Sequence, residues 1–185
     1  MKNLPFALAI ILITSVTTLN AQSFSSLDKS TLDMAYFPDN FAHDRKGDQK
    51  AIMKVVYSRP AKKDREVFGK LVDYNEIWRT GANETTEIKL YQEVNFGDKK
   101  VPAGTYSLFS IPTKDDWTII LNSDIDYWGS YRYNEDNDVA RVSAKSMESK
   151  KVIENFSIQF EGTGDNSGVM RLGWDKTVVE VPFTY

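Results

Sequence analysis

The 185-residue chain contains no cysteine and a single histidine, His43. The first absence excludes disulfides, thiolate metal sites, cysteine nucleophiles and the lipid-bearing cysteine of bacterial lipoproteins. His43 has neither a G-x-S-x-G elbow nor an H-E-x-x-H pair beside it, so no catalytic residue is assigned and no metal or cofactor is expected. Positive charge is also in short supply. Twenty-three Lys and Arg stand against 26 Asp and Glu, a net charge of −3, which is too little cationic surface to hold a phosphate backbone. Nucleic acid is therefore not an expected partner. Past the amino terminus there is no apolar run near the ~20 residues that span a bilayer, so no transmembrane segment is expected either. Helical periodicity is missing as well, which turns attention to strands.

The amino terminus carries an address. Met1-Lys2-Asn3 is a short basic leader, Leu4 to Val16 an apolar core, and Ala21 a small residue before the polar Gln22. This pattern is that of a secretory signal peptide over residues 1–21. Lys2 is its sole charged residue, so cleavage leaves 22 basic and 26 acidic groups and a net charge of −4. The expected mature chain, residues 22–185, is one β-rich domain exported to the periplasm or cell exterior, with no lipid anchor and no oligomeric state set by the sequence.

Beyond Gln22 the apolar pattern has a period of two. Residues 23–50 read as a leading strand followed by a surface loop, and Ile52–Tyr57 and Glu87–Val94 as strands. Turns at Gly97-Asp98 and Pro102-Ala103-Gly104 lead to a strand over Thr105–Ile111, which Pro112 ends. Trp117–Leu121, apolar at four of five positions, predicts a central strand covered on both faces. Val139–Ala144 and Val152–Phe160 follow, the latter with Phe156, Ile158 and Phe160 on one face. The loop Gly162–Gly168 leads to Val169–Trp174, and Asp175-Lys176 reads as a tight link to Thr177–Phe183. Short strands at regular intervals predict an all-β fold, an antiparallel β-sandwich or flattened, jelly-roll-like barrel of about eight to ten strands.

Several blocks match a known family in order. They are Ser58-Arg59-Pro60, Arg65–Val72, Trp78-Arg79-Thr80-Gly81-Ala82-Asn83-Glu84 with the following Thr85–Ile88, Val101–Phe109, Trp117-Thr118, Trp128-Gly129 and Asp138–Val142. Over residues 28–185 the chain resembles a family of exported bacterial proteins catalogued as domain of unknown function 2911. Asp73 and Asn75 stand where that family favours Pro and Gly. The resemblance implies export and a compact β-rich domain, and it brings no activity with it.

Two segments carry recognition chemistry. Trp78–Glu84 brings a planar cation, an amide and a carboxylate together around Gly81, which permits close backbone approach. The same block also reads as a structural corner with Trp78 in the core, Arg79 paired to a carboxylate and Asn83 capping a turn. Tyr127–Tyr133 holds four aromatics in seven residues, flanked by Asp124, Asp126, Asp136 and Asp138, and could stack on a sugar ring or a peptide. Alternation would send Trp128 inward and Tyr127 outward. Asn134–Asp138 lacks the spacing of a calcium loop and reads as a solvated acidic turn, and Gly162–Gly168 lacks the lysine and helix of a phosphate loop. The leading functional expectation is a non-catalytic module that binds a glycan, peptide or small anionic ligand through Arg79, Asn83, Glu84, Tyr127, Tyr131 and Tyr133. The alternatives are a glycosidase-like hydrolase pairing Glu84 with an aspartate from residues 124–138, and a structural component of the cell envelope.

Overall fold

The computed structural model describes residues 24–185, so the expected signal peptide, residues 1–21, lies outside the described residues. Its strands are β1 (Leu32–Phe37), β2 (Met53–Ser58), β3 (Thr86–Leu90), β4 (Val94–Phe96), β5 (Lys99–Val101), β6 (Gly104–Pro112), β7 (Asp116–Asn122), β8 (Asp138–Gly164) and β9 (Ser167–Thr184). They form one nine-stranded antiparallel sheet in the order β1-β2-β3-β6-β7-β8-β9-β4-β5, which does not close into a barrel. A one-turn helix, α1 (Phe41–Asp44), interrupts the β1–β2 connection. No helix among the described residues is long and apolar enough to cross a membrane.

The sheet becomes a sandwich because β8 belongs to both layers. Its first part pairs with β7, its remainder with β9, and register shifts between Glu148 and Ile153 and between Ile153 and Ser157 bend it from one layer to the other. Val139–Ala144 and Val152–Phe160, expected as separate strands, are therefore one. The same holds for Val169–Trp174 and Thr177–Phe183, which both lie on β9. Asp175 does adopt a left-handed conformation, φ 55°, but Ile153 opposite it and Lys62 at 3.5 Å hold it in a bulge instead of a reversal. Glu87–Val94, expected as one strand, divides. The Tyr91 N–H donates to the Ile52 carbonyl at 2.9 Å, one step beyond the Met53–Leu90 pair and in the same register, and Val94 starts a separate strand that joins β5 and β9.

An aromatic knot fills the space between the layers. Trp78 stacks on Trp174 at 6.0 Å, and Phe68, Trp117 and Phe156 meet it edge to face. Where β1 approaches the second part of β8 the strands do not pair. Side chains bridge the seam instead: the Tyr57 hydroxyl donates to the Ile158 carbonyl and accepts from its N–H, while Arg59 reaches the Phe156 carbonyl, Ser157 and Asp33. β7 is covered on both sides, as its sequence predicts. Ile119 faces the core, and Ile120, equally buried, lies with Phe109 beneath the connection from Ser123 to Asn137. That connection brings the second recognition segment to the outer face of the sheet.

Candidate functional site

The block from Trp78 to Glu84 is a hydrogen-bonded corner. Trp78 exchanges backbone hydrogen bonds with Ser110, and its indole N–H donates to the Gly81 carbonyl at 3.0 Å. Thr80, at φ 52°, sets its hydroxyl 3.0 Å from that of Ser110, and the Thr86 hydroxyl donates to the Thr80 carbonyl. Gly81 sits in a crowded place: a Cβ there would lie 3.0 Å from the Thr86 hydroxyl oxygen and 3.2 Å from the Ser58 carbonyl, so a larger residue would force these neighbours to shift. The close backbone approach that this glycine permits is to Ser58 at the end of β2. In the preceding turn Asn75 sits at φ 65°, a conformation that asparagine tolerates where glycine is usual.

The corner is zipped to the aromatic segment. Glu84 bridges to Trp128, the Gly129 N–H donates to the Asn83 carbonyl at 2.9 Å, and the Thr85 N–H donates to the Tyr127 carbonyl at 3.0 Å. The Thr85 hydroxyl reaches the Gly129 carbonyl, 44 residues away in the chain, and the Ser130 hydroxyl reaches that of Ile77. The two recognition segments thus form one short ribbon. Trp128 is 60% exposed on it and Tyr131 83% exposed, their rings stacked 5.9 Å apart at an interplanar angle of 11°. The expected alternation is reversed, for Trp128 points outward and the Tyr127 hydroxyl is buried without a hydrogen-bond partner among the described residues. Residues 123–133 are not a strand, and Asp126 at φ 66° breaks the period of two just before the aromatics.

Arg79 lies beneath this ledge, its guanidinium carbon 5.8 Å from the centre of the Trp128 ring. Among the described residues it makes no ion pair, and its buried Nε finds no acceptor. Burial pulls the guanidinium pKa below its ordinary value, with the Tyr131 phenol acting in the opposite direction. Two clefts adjoin the ribbon. One, of about 350 Å³, is lined by Arg79 with Arg65, Asp73, Glu76, Ser130 and Trp174. The other, of about 440 Å³, has Glu84, Glu87, Asp126, Tyr127 and Trp128 around a floor that includes Val56.

The six expected residues are thus distributed. Arg79 and Tyr131 meet at Trp128. Glu84 and Tyr127 line the larger cleft, joined by Glu87, which the strand pattern alone presents as an ordinary outward residue of β3. The Asn83 side chain donates to Asp28 at 2.9 Å; that bond and the Ser30 N–H hold the Asp28 carboxyl below the usual range and tie the amino-terminal segment to the corner. Tyr133 stands apart. Its hydroxyl donates to Asp138 at 2.6 Å and accepts from Arg141 at 2.9 Å, its ring covers Phe109, and burial with the Asp138 bond pushes its pKa up to about 12. Asn134 caps the turn at Glu135–Asn137, and Asp138 is occupied by Tyr133, Arg141 and Asn122. Among the described residues no three His, Cys, Asp or Glu side chains are placed to hold a metal ion. Alternation sends the exposed Trp128 to the core; the signal against that lies in Gly129 beside it, a turn residue at φ 75°.

No curated protein and no solved structure matches the chain. A family model does match it over residues 38–183, a span that holds β2 to β8, most of β9, the corner and the aromatic segment. That model is the one described as Protein of unknown function (DUF2911), and the chain belongs to this family.

Proposed function

We propose that this protein is an exported, non-catalytic binding module whose ligand is a glycan seated on the Trp128–Tyr131 ledge. The observation that carries the reading is the ledge itself: two large rings, nearly parallel and largely exposed, fixed by backbone hydrogen bonds instead of a mobile loop. Aromatic faces pack against the apolar faces of sugar rings, and polar groups around them set orientation. Arg79 supplies donors without a competing carboxylate, while Glu84 and Asp126 supply acceptors in the adjoining cleft. A ribbon already held in place also loses little conformational entropy on binding. Export, which rests on residues 1–21, would put the module where extracellular glycans are met.

Glycan-array screening followed by titration calorimetry tests this. The expected result is binding that weakens at least about tenfold in Trp128→Ala, equivalent to about 1.4 kcal/mol, while the melting temperature stays within a few degrees. Absence of glycan binding, or binding indifferent to Trp128, overturns the reading. A second reading, a glycosidase, is favoured by the three carboxylates of the larger cleft, since such enzymes need two carboxyl groups about 5–10 Å apart. It predicts turnover of chromogenic glycosides that Glu84→Gln abolishes.

A further inference from the structure

A second surface shares no residue with the ledge. Tyr36, Lys54 and Lys89 stand in one row across β1, β2 and β3, so two lysines sit directly opposite each other on neighbouring strands. Like charges so placed destabilise a sheet. The β1–β2 connection adds Phe41, Arg45 and Lys50 to the same region, and Tyr91 follows β3. All of these residues except Lys54 line a cleft of about 550 Å³ that no carboxylate enters. None of Arg45, Lys50, Lys54 and Lys89 forms an ion pair among the described residues; Arg45 Nε donates to the Gly47 carbonyl, and Lys89 Nζ lies 5.1 Å from the centre of the Tyr91 ring. On a chain of net charge −3, with acidic residues in the majority, three cations lining one cleft without a counter-ion, and Lys54 opposite one of them, break a local rule of charge placement. A ligand that brings the missing negative charge accounts for the arrangement.

We infer that this cleft binds an anionic saccharide, a sugar ring bearing a phosphate, sulfate or carboxylate group. The cations fit the charged group, since lysine and arginine serve as phosphate and carboxylate binders and their field draws anions to a concave surface. The aromatic lining fits the ring. Tyr36 and Phe41 are 6.3 Å apart and inclined at 33°, an open pair that packs on a puckered ring and not a parallel clamp for a flat base. The volume lies within the span of small-molecule sites, about 300–1,000 Å³. The inference stands without the ledge, because Arg79, Trp128 and Glu84 have no part in it.

Titration calorimetry with glucose 6-phosphate, glucuronic acid, glucose and inorganic phosphate tests it. The expected result is binding of the two acidic sugars, weakened by added salt, with glucose and inorganic phosphate each at least about tenfold weaker. Lys50→Gln with Lys89→Gln abolishes that binding yet melts no lower than the parent, because substitution relieves repulsion. Tyr91→Ala lowers affinity with the charges intact, and Trp128→Ala changes nothing. Inorganic phosphate binding as tightly as the sugar phosphate, affinity insensitive to the lysine pair, or no binding of either acidic sugar would overturn the assignment.

Discussion

Arg79→Ala removes a half-buried guanidinium that has no carboxylate beside it, and the missing partner determines the size of the effect. An arginine in a buried ion pair strands a charge when truncated, at about 3–5 kcal/mol. Here no charge is stranded. The losses are the contact with Trp128, about 0.5–1 kcal/mol, and part of the cover that the aliphatic stem gives its neighbours, of similar size. Against these stands the relief of a buried Nε–H that has no acceptor, which is worth about 1 kcal/mol or more. The net loss is about 1 kcal/mol or less, or about 2–4 °C in melting temperature for a chain of this length. Thermal melting followed by circular dichroism and urea unfolding measure it directly. A loss above about 3 kcal/mol, near 10 °C, would refute the reasoning and make Arg79 a fastener of the corner. A small loss of stability joined to a large loss of glycan affinity is the expected combination.

Tyr133 sets a pH dependence of stability. Its folded pKa of about 12 exceeds the ordinary value of 10.0, so the stability it lends is complete below pH 10.0 and fades as pH rises towards 12; Tyr133→Phe should flatten that part of the profile, and an unchanged decline would reject the assignment. Gly81→Ala places a methyl group against the Thr86 hydroxyl and the Ser58 carbonyl and should cost about 1–3 kcal/mol in urea unfolding, whereas a neutral result would mean the corner has slack. Processing is checked by mass spectrometry of exported material, which should begin at or within a few residues of Gln22; an intact Met1 would reject the signal peptide.

Fold class was legible in the sequence because period-two patterning is a local property that survives whatever the strands pair with. The apolar Trp117–Leu121 likewise announced a strand covered on both faces. Continuity was not legible. Asp175 carries turn chemistry in isolation, and only its opposition to Ile153 and its pairing with Lys62 make it a bulge within β9. Val94 continues the alternation of β3 in sequence, yet it pairs with Val101 of β5 and not with β2, which begins at Met53 opposite Leu90.

The candidate site divides in the same way. Trp78–Glu84 and Tyr127–Tyr133 stand out by residue type alone, because a guanidinium and a dense run of aromatics carry their chemistry wherever they lie. Their meeting is a tertiary fact: Thr85 and Gly129 touch only because the sheet and the connection over Phe109 place them side by side. The basic cleft is hidden in the sequence for a related reason. Lys54 and Lys89 are unremarkable in their own strands, and strand register alone sets them opposite each other. Local pattern thus determined the strands and the chemistry available, while cross-strand register and the bends of β8 and β9 decided which side chains meet. Such pairings join distant residues through contacts that no local stretch of sequence contains.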